Sequence, residues 1–143
     1  MRVSVRALIM KDDRLLLVNA FQRKKSDLWC APGGGANDHV SLVDNLIREI
    51  HEETGLTVTV GDPVMINEFH APSNKYHQVD LFFRCTIVSG EIDNNWIDPE
   101  GIVTERRFFS RSEMDTIRFK PDSLAKAAWG DGVVYDPLEL LVR

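Results

Sequence analysis

The stretch REIHEETGL, at residues 48–56, carries carboxylates at Glu49, Glu52 and Glu53. Residues three and four apart share one face of a helix, so these side chains would form a single cluster of negative charge. Like charges at that spacing destabilise an isolated helix, and a hard divalent cation with oxygen ligands would reverse the cost. The stretch therefore predicts a helix that carries a candidate cation site.

The limits of this helix are marked by local signals. Ser41 is a good N-cap and Asp44 stands at the reciprocal third position, whereas Gly55 suits the left-handed residue that ends a helix. These signals predict a helix over about 42–54. On a helical wheel Glu53 projects at the edge of the apolar arc, and Glu49 and Glu52 follow on the same flank. The acids would then line the seam between core and solvent.

Arg48 precedes Glu52 by four residues, which is the less favourable order for a helical ion pair. We therefore expect Arg48 to orient a carboxylate rather than to stabilise the helix. The alternative is a solvated charged face whose ion pairs contribute little.

A glycine-rich segment, WCAPGGG at residues 29–35, lies just upstream of the predicted helix. Three glycines after a proline allow the backbone to approach a ligand closely, and a carbonyl of this loop is a further candidate ligand for a hard cation. A plain tight turn is the alternative interpretation of this segment.

Loop and helix together resemble the Nudix box, written G-x5-E-x7-R-E-U-x-E-E-x-G-U with U apolar. Eight of its nine specified positions match, and the matching residues are Gly34, Arg48, Glu49, Ile50, Glu52, Glu53, Gly55 and Leu56. The first glutamate of the box is replaced by Val40. This departure would weaken metal binding or turnover, or would mark a chain that keeps the fold and has lost activity.

The resemblance implies an α/β protein, a Nudix-type α/β/α sandwich with a central mixed β-sheet, and residues 1–143 are expected to form one such domain. It implies a pyrophosphohydrolase that cleaves the diphosphate of a nucleoside diphosphate linked to a group X. The alternative is a non-catalytic module that binds a nucleotide.

The resemblance also implies roles for individual residues. Mg²⁺ or Mn²⁺ would be held by the Gly33 or Gly34 carbonyl with Glu52 and Glu53, and Glu49 would be a ligand or the base. Arg48 would fix Glu49 or Glu52 in place. A further acid outside the box would complete the site, and the sequence leaves open three candidates, Asp98, Glu100 and Glu105.

Substrate contacts are expected from residues outside the box. Arg23 and Lys24 belong to a positive cluster before the glycine turn, which suits phosphate binding, although a solubilising loop is an equal alternative. Arg84, on a predicted strand, faces either the cleft or the surface. Aromatic side chains that could stack on a base or sugar are Phe21, Trp29, Phe69, His70 and Tyr76.

Composition limits the classes of function. The chain has 143 residues and a formal net charge of −5, so broad binding of long nucleic acid or of membranes through a basic surface is not expected. No stretch approaches the ~20 apolar residues of a membrane span, and no signal peptide is evident. We therefore expect a cytoplasmic protein with two reduced cysteines. The resemblance implies a small nucleotide-type substrate and a possible homodimer.

Hydrophobic patterning predicts the other elements. The expected strands cover 3–10, 15–18, 57–60, about 64–69, 78–88 and 106–109. A short helix is expected from Ser110 or Ser112 through Ile117, and a second over about 121–128. The order of the elements agrees with a mixed sheet covered by helices on both sides.

Overall fold

The chain folds around a mixed β-sheet, which a computed structural model describes over residues 1–20 and 26–142. The strands are β1 (Arg2–Lys11), β2 (Arg14–Asn19), β3 (Leu28–Trp29), β4 (Gly33–Gly35), β5 (Thr57–Ala71), β6 (Tyr76–Ser89), β7 (Glu105–Ser110), β8 (Arg118–Phe119) and β9 (Val134–Leu140). The helices are α1 (Leu42–Thr54), α2 (Arg111–Met114) and α3 (Leu124–Trp129), with a 3₁₀ turn at Pro72–Asn74.

The main sheet has the strand order β7-β2-β1-β6-β5-β9, and β4 adds to the edge of β1 beside β2. The pairs β1–β6 and β5–β9 are parallel, and the other pairs of this sheet are antiparallel. Strands β3 and β8 form a small separate parallel pair.

Helices cover both faces of the sheet, so the predicted α/β/α sandwich is confirmed. Alternate residues of one strand point to opposite faces, and Phe82 and Phe83 accordingly enter two different core clusters. The cluster with Phe83 contains Leu46 and Ile50 of α1, and the cluster with Phe82 contains Leu124 of α3. The expectation that this strand is buried on both faces is therefore correct.

Helix α1 begins and ends where its local signals predict. The Ser41 side chain accepts a hydrogen bond from the Asp44 N–H at 3.0 Å, and Gly55 ends the helix at φ 77°. The buried residues of α1 include Glu49 and Glu53 besides the apolar side chains that face the core. The helix therefore turns two of its acids inward, at the seam between core and solvent.

Other elements differ from the sequence prediction. Residues 57–69 form one long strand instead of two, because register shifts on either side of Pro63 accommodate it without breaking the ladder. The glycine run is a strand and not a plain turn, since Gly33–Gly35 pair with Ser4–Arg6. Strand β9 was not predicted, and its Asp136 and Pro137 are residues that strands disfavour.

The two short helices were predicted with the wrong bounds. Helix α2 starts after Ser110, which forms a capping box with Glu113, and it ends at Met114, before Ile117. Helix α3 begins at Leu124, because residues 121–123 make a turn in which the Leu124 N–H bonds to the Pro121 carbonyl. Within residues 1–20 and 26–142, none of the helices is long and apolar enough to cross a membrane.

Candidate functional site

Glu53 joins helix α1 to β4, the strand of residues Gly33–Gly35, here called the glycine strand. Its Oε2 accepts a hydrogen bond from the Gly33 N–H at 3.0 Å, and the side chain is buried. Burial raises the pKa of Glu53 to about 8, although the nearby charge of Arg6 and the Gly33 hydrogen bond act in the opposite direction. At pH 7 the Glu53 side chain is therefore mostly in its protonated, uncharged form.

Glu49 lies directly against the backbone of Gly34. A Cβ added to Gly34 would stand 2.6 Å from the Glu49 Oε2, so only glycine leaves room for the carboxylate in this place. Burial raises the pKa of Glu49, Arg48 opposes the shift, and the charges of Glu100 and Glu52 add to it. Two buried acids of α1 therefore face two successive glycines of β4.

Arg48 contacts both of the other helix carboxylates. Its Nη1 donates to both oxygens of Glu52 at 3.2 Å, and its Nη2 donates to the Glu49 Oε1 at 3.2 Å. A third bond, from Nη2 to the Asn45 Oδ1 at 3.3 Å, fixes the guanidinium along the helix. Arg48 thus contacts Glu52 and also Glu49, the two carboxylates that were named as alternatives for it.

Arg6 of β1 is a charged residue of this region that sequence reasoning missed. It is the register partner of Gly33, and its Nη1 donates to the carbonyl of Ala31 at 3.2 Å and, more weakly, to that of Gly33 at 3.5 Å. Its Nε stands 3.7 Å from the Asp80 Oδ2. The apolar alternation of β1 gave no signal for this contact, since it depends on the pairing of β1 with the glycine strand.

The last turn of α1 is held by main-chain contacts that were also not predicted. The Trp96 Nε1 donates to the Glu52 carbonyl at 2.8 Å, and the Arg106 Nε donates to the Glu53 carbonyl. The Trp96 ring lies over Gly55, whose absent Cβ would stand 2.9 Å from the ring. Two residues from β7 and the loop before it thus secure the turn that carries Glu52 and Glu53.

The three candidates for a further acid take different positions. Asp98 is buried and accepts the N–H groups of Glu100, Ile102 and Val103 at 2.9–3.1 Å, so it shapes its own loop. Glu100 is exposed, and its charge acts on Glu49. Glu105 begins β7.

Arg84, a predicted substrate contact, is not brought to these carboxylates. Arg84 belongs to the face of the sheet that α3 covers, and its guanidinium donates to the carbonyls of Ala127, Ala128 and Gly130 at 2.7–3.2 Å. It therefore secures the end of α3. Arg23 and Lys24 lie outside the residues that the structure describes.

The donor set suits a hard cation, although it is not gathered around a single point. Glutamate oxygens and the carbonyl of Gly34 are ligands that Mg²⁺ and Mn²⁺ accept, and this carbonyl accepts a hydrogen bond from the Ser4 hydroxyl at 2.9 Å. In residues 1–20 and 26–142, no three side chains of the types His, Cys, Asp and Glu already converge in a metal-holding arrangement.

Comparison with known proteins places this arrangement in a family. The family model of the NUDIX domain matches residues 1–130, and the chain therefore belongs to the Nudix family. The resemblance seen in the sequence is confirmed.

Curated relatives are distant. The chain is 27% identical over 93 residues to the putative ADP-ribose pyrophosphatase YjhB of Bacillus subtilis, which covers 63% of this chain and 43% of that protein. It is 23% identical over 134 residues to an ADP-ribose pyrophosphatase of Methanocaldococcus jannaschii, which covers 91% of this chain and 75% of that protein. The chain thus spans less than half the length of the first relative.

Solved structures share the fold. A UDP-X diphosphatase superposes with a TM-score of 0.72 at 20% identity, over 94% of this chain and 66% of that one. The MutT protein of Bacillus halodurans superposes with a TM-score of 0.71 at 22% identity, over 94% of this chain and 87% of that one.

Proposed function

We propose that the protein is a divalent-metal-dependent pyrophosphohydrolase that cleaves the diphosphate bond of a nucleoside diphosphate linked to a group X. The observation that carries this proposal is the pair of buried carboxylates, Glu49 and Glu53, held against the glycine strand within the matched family domain. The names of the relatives from Bacillus subtilis and Methanocaldococcus jannaschii, both ADP-ribose pyrophosphatases, agree with this class of reaction.

Glu52, Glu53 and the Gly34 carbonyl would hold the cation, with Glu100 as the further acid. Among the three candidates we favour Glu100, because it is exposed and acts on Glu49, whereas Asp98 is already engaged by three N–H groups. Bound Mg²⁺ or Mn²⁺ supplies neutralisation of the phosphate oxygens and lowers the pKa of a bound water.

The residues of the chain perform the proton chemistry. Glu49 is the proposed base, since a carboxylate whose pKa is raised by burial accepts a proton from water more readily than an exposed one. Arg48 is the proposed positioning residue, because its two nitrogens hold Glu49 and Glu52 at the same time. Water attacks one phosphorus, and the bond to the bridging oxygen breaks.

The test of this proposal is hydrolysis of a nucleotide panel by Glu53→Gln, with and without Mg²⁺. Glutamine keeps an oxygen for the Gly33 N–H but loses the charge. Replacing a residue that only supports a metal ligand lowers metal affinity or activity about 10–100-fold. Removing the ligand itself is therefore expected to lower metal-dependent turnover at least about hundredfold. The exposed Glu91→Gln serves as the control, and unchanged turnover in Glu53→Gln overturns the ligand assignment.

A non-catalytic nucleotide-binding module is the second candidate, and the replacement of the first box glutamate by Val40 favours it. Val40 lies just before the N-terminus of α1, and the 11 residue steps from Leu42 to Glu53 rise about 16 Å along the axis, so the departure is remote from Glu53. A large gain of turnover in Val40→Glu supports a weakened enzyme. Tight nucleotide binding without turnover in both proteins supports the module.

A further inference from the structure

A cavity of about 220 Å³ opens on the face of the sheet opposite α1. Its wall includes Arg6, Leu28, Asn67, Phe69, Asp80 and Phe82, and the segments 120–121 and 139–142 close it. Pockets that enclose a whole drug-sized ligand measure about 300–1,000 Å³, so this cavity suits one ring of a larger molecule.

Asn67 gives the cavity a donor without an acceptor. Its side chain is 2% exposed, and within residues 1–20 and 26–142 no atom accepts a hydrogen bond from its buried Nδ2. Buried polar groups in folded proteins are nearly always paired, so an unpaired amide in a cavity wall indicates a group that a ligand completes.

Arg6 gives the same cavity a second donor of this kind. Its Nε is buried and donates no hydrogen bond to any residue in the described part of the chain, although the Asp80 Oδ2 lies 3.7 Å away as an ionic neighbour. Asp80 is itself fixed, because its Oδ1 accepts the Gln78 Nε2 at 2.6 Å and Gln78 is bonded in turn by the Tyr76 hydroxyl. The polar side of the cavity is thus preorganised and rich in donors.

Lys120 and Glu139, which pair with each other at 3.5 Å, also line the cavity, and most of the remaining wall is apolar and partly aromatic. Apolar surfaces that can cover the faces of a flat ring come from Phe69, Phe82, Leu28 and Leu140. These side chains offer no acceptor for a hydroxyl group. A sugar in this cavity would bury several hydroxyl donors against these side chains, whereas a nucleobase buries apolar faces and presents carbonyl oxygens or ring nitrogens at its edge.

We propose that this cavity binds the nucleobase of the substrate, and that Asn67 recognises an acceptor atom on the edge of the base. Arg6 lines the cavity and also bonds the carbonyls of Ala31 and Gly33, and the Gly33 N–H bonds Glu53. Because Ala31 lines the cavity as well, a base bound there would direct its phosphates along residues 31–33 towards the strand that holds Glu53. This inference rests on the proposed function for the nature of the substrate.

The test compares Asn67→Leu with wild type by calorimetric titration of AMP, UMP and ribose 5-phosphate in metal-free buffer. Leucine has nearly the same shape and no donor. Losing one such hydrogen bond is expected to lower the affinity for AMP and for UMP about tenfold, whereas ribose 5-phosphate should bind the wild type and the variant with equal affinity. Removing an unpaired buried donor also leaves the melting temperature unchanged or raised, whereas a structural asparagine would lower it. The exposed Asn74→Leu is the matched control.

Equal affinities of the wild type for the nucleotides and for ribose 5-phosphate overturn the proposal without any variant. The proposal is also overturned if Asn67→Leu binds all three molecules with wild-type affinity, or if its affinity for all three falls by the same factor. Because binding is measured without turnover, the two proposals fail separately. Asn67-dependent nucleotide binding without hydrolysis rejects only the proposed function, and hydrolysis with no effect of Asn67→Leu on binding rejects only the base cavity.

Discussion

Glu53 combines a buried side chain, a main-chain donor and a raised pKa in one residue. The Gly33 N–H satisfies one oxygen, and the acid is held near neutrality by burial. A bound cation has to displace that proton before the carboxylate can coordinate it. The residue is therefore suited to take up a cation as it loses its proton.

The raised pKa of Glu53 makes the stability of the metal-free protein depend on pH. Below pH 4.5 both folded and unfolded chains carry the proton. Between pH 4.5 and about 8 only the folded chain keeps it, so the contribution of Glu53 falls with rising pH, by at most about 1.4 kcal/mol per pH unit. Glu53→Gln removes this slope.

Denaturant unfolding in EDTA from pH 5 to 8 measures the effect. The free energy of unfolding of Glu53→Gln should exceed that of the wild type by a margin that widens as the pH rises. Parallel curves for the two proteins would show that Glu53 is not held in its protonated form. The exposed Glu91→Gln should follow the wild type throughout.

Residues that act through their immediate neighbours in sequence could be predicted, and those that act across the fold could not. Glu49 precedes Glu52 and Glu53 by three and four positions, and Arg48 precedes Glu52 by four, so their shared face follows from the helix alone. Arg6 reaches Gly33 across 27 residues, and Trp96 reaches Glu52 across 44. Such contacts depend on strand pairing and loop placement, which one sequence does not specify. For the same reason Arg84 was assigned to the substrate rather than to the end of α3.

At the level of elements, the last turn of α1 is attached to the loop before β7. Trp96 bonds the Glu52 carbonyl, Arg106 bonds the Glu53 carbonyl, and Gly55 provides the space for the indole ring. Carbonyl groups at a helix C-terminus have no partner within the helix, so these donors complete the helix end.

Trp96→Phe tests whether this attachment positions the carboxylates. Phenylalanine keeps an aromatic ring over Gly55 and loses only the indole N–H, so the free energy of unfolding should fall by about 1 kcal/mol. Turnover should fall about tenfold, because the Glu52 backbone is no longer held in place. Turnover is measured on the best nucleotide of the panel, and stability by urea unfolding.

Trp129→Phe is the matched control, because the Trp129 Nε1 donates to the Asp13 carbonyl at 3.2 Å, on another part of the surface. A comparable loss of stability with unchanged turnover is expected there. If both variants lose turnover equally, the effect of Trp96 is one of stability alone.

Element predictions succeeded where caps and periodicity are local. Helix α1 has both caps in its own sequence, and its bounds were correct. The glycine strand β4 and the edge strand β9 have no apolar alternation, because their pairing with β1 and β5 rather than their side chains makes them strands. The break that was predicted near Pro63 does not occur, because the β5–β6 pairing shifts register on either side of Pro63 and then continues.

On the scale of the whole molecule, a formal net charge of −5 attracts cations, and Glu49 and Glu52 carry part of it on one flank of α1. A cation that binds only the folded chain stabilises it, by about 2.7 kcal/mol at a hundredfold excess over its Kd.

Mg²⁺ or Mn²⁺ is therefore expected to raise the melting temperature by several degrees, and more at pH 8.5 than at pH 6, because Glu53 must lose its proton to coordinate the ion. Differential scanning calorimetry across a metal titration measures this shift. Glu53→Gln should show a much smaller shift at both pH values. A shift of the same size in wild type and variant would place the ion elsewhere.

The donors from Trp96 and Arg106 hold peptide oxygens of α1, whereas the side chains of Glu52 and Glu53 are held separately, by Arg48 and by the Gly33 N–H. Exchanging either glutamate for aspartate, glutamine or histidine therefore leaves the anchoring of the helix end unchanged. Under the proposed function, the preference for an ion is therefore open to change at these two positions while the peptide oxygens of the helix end stay bonded.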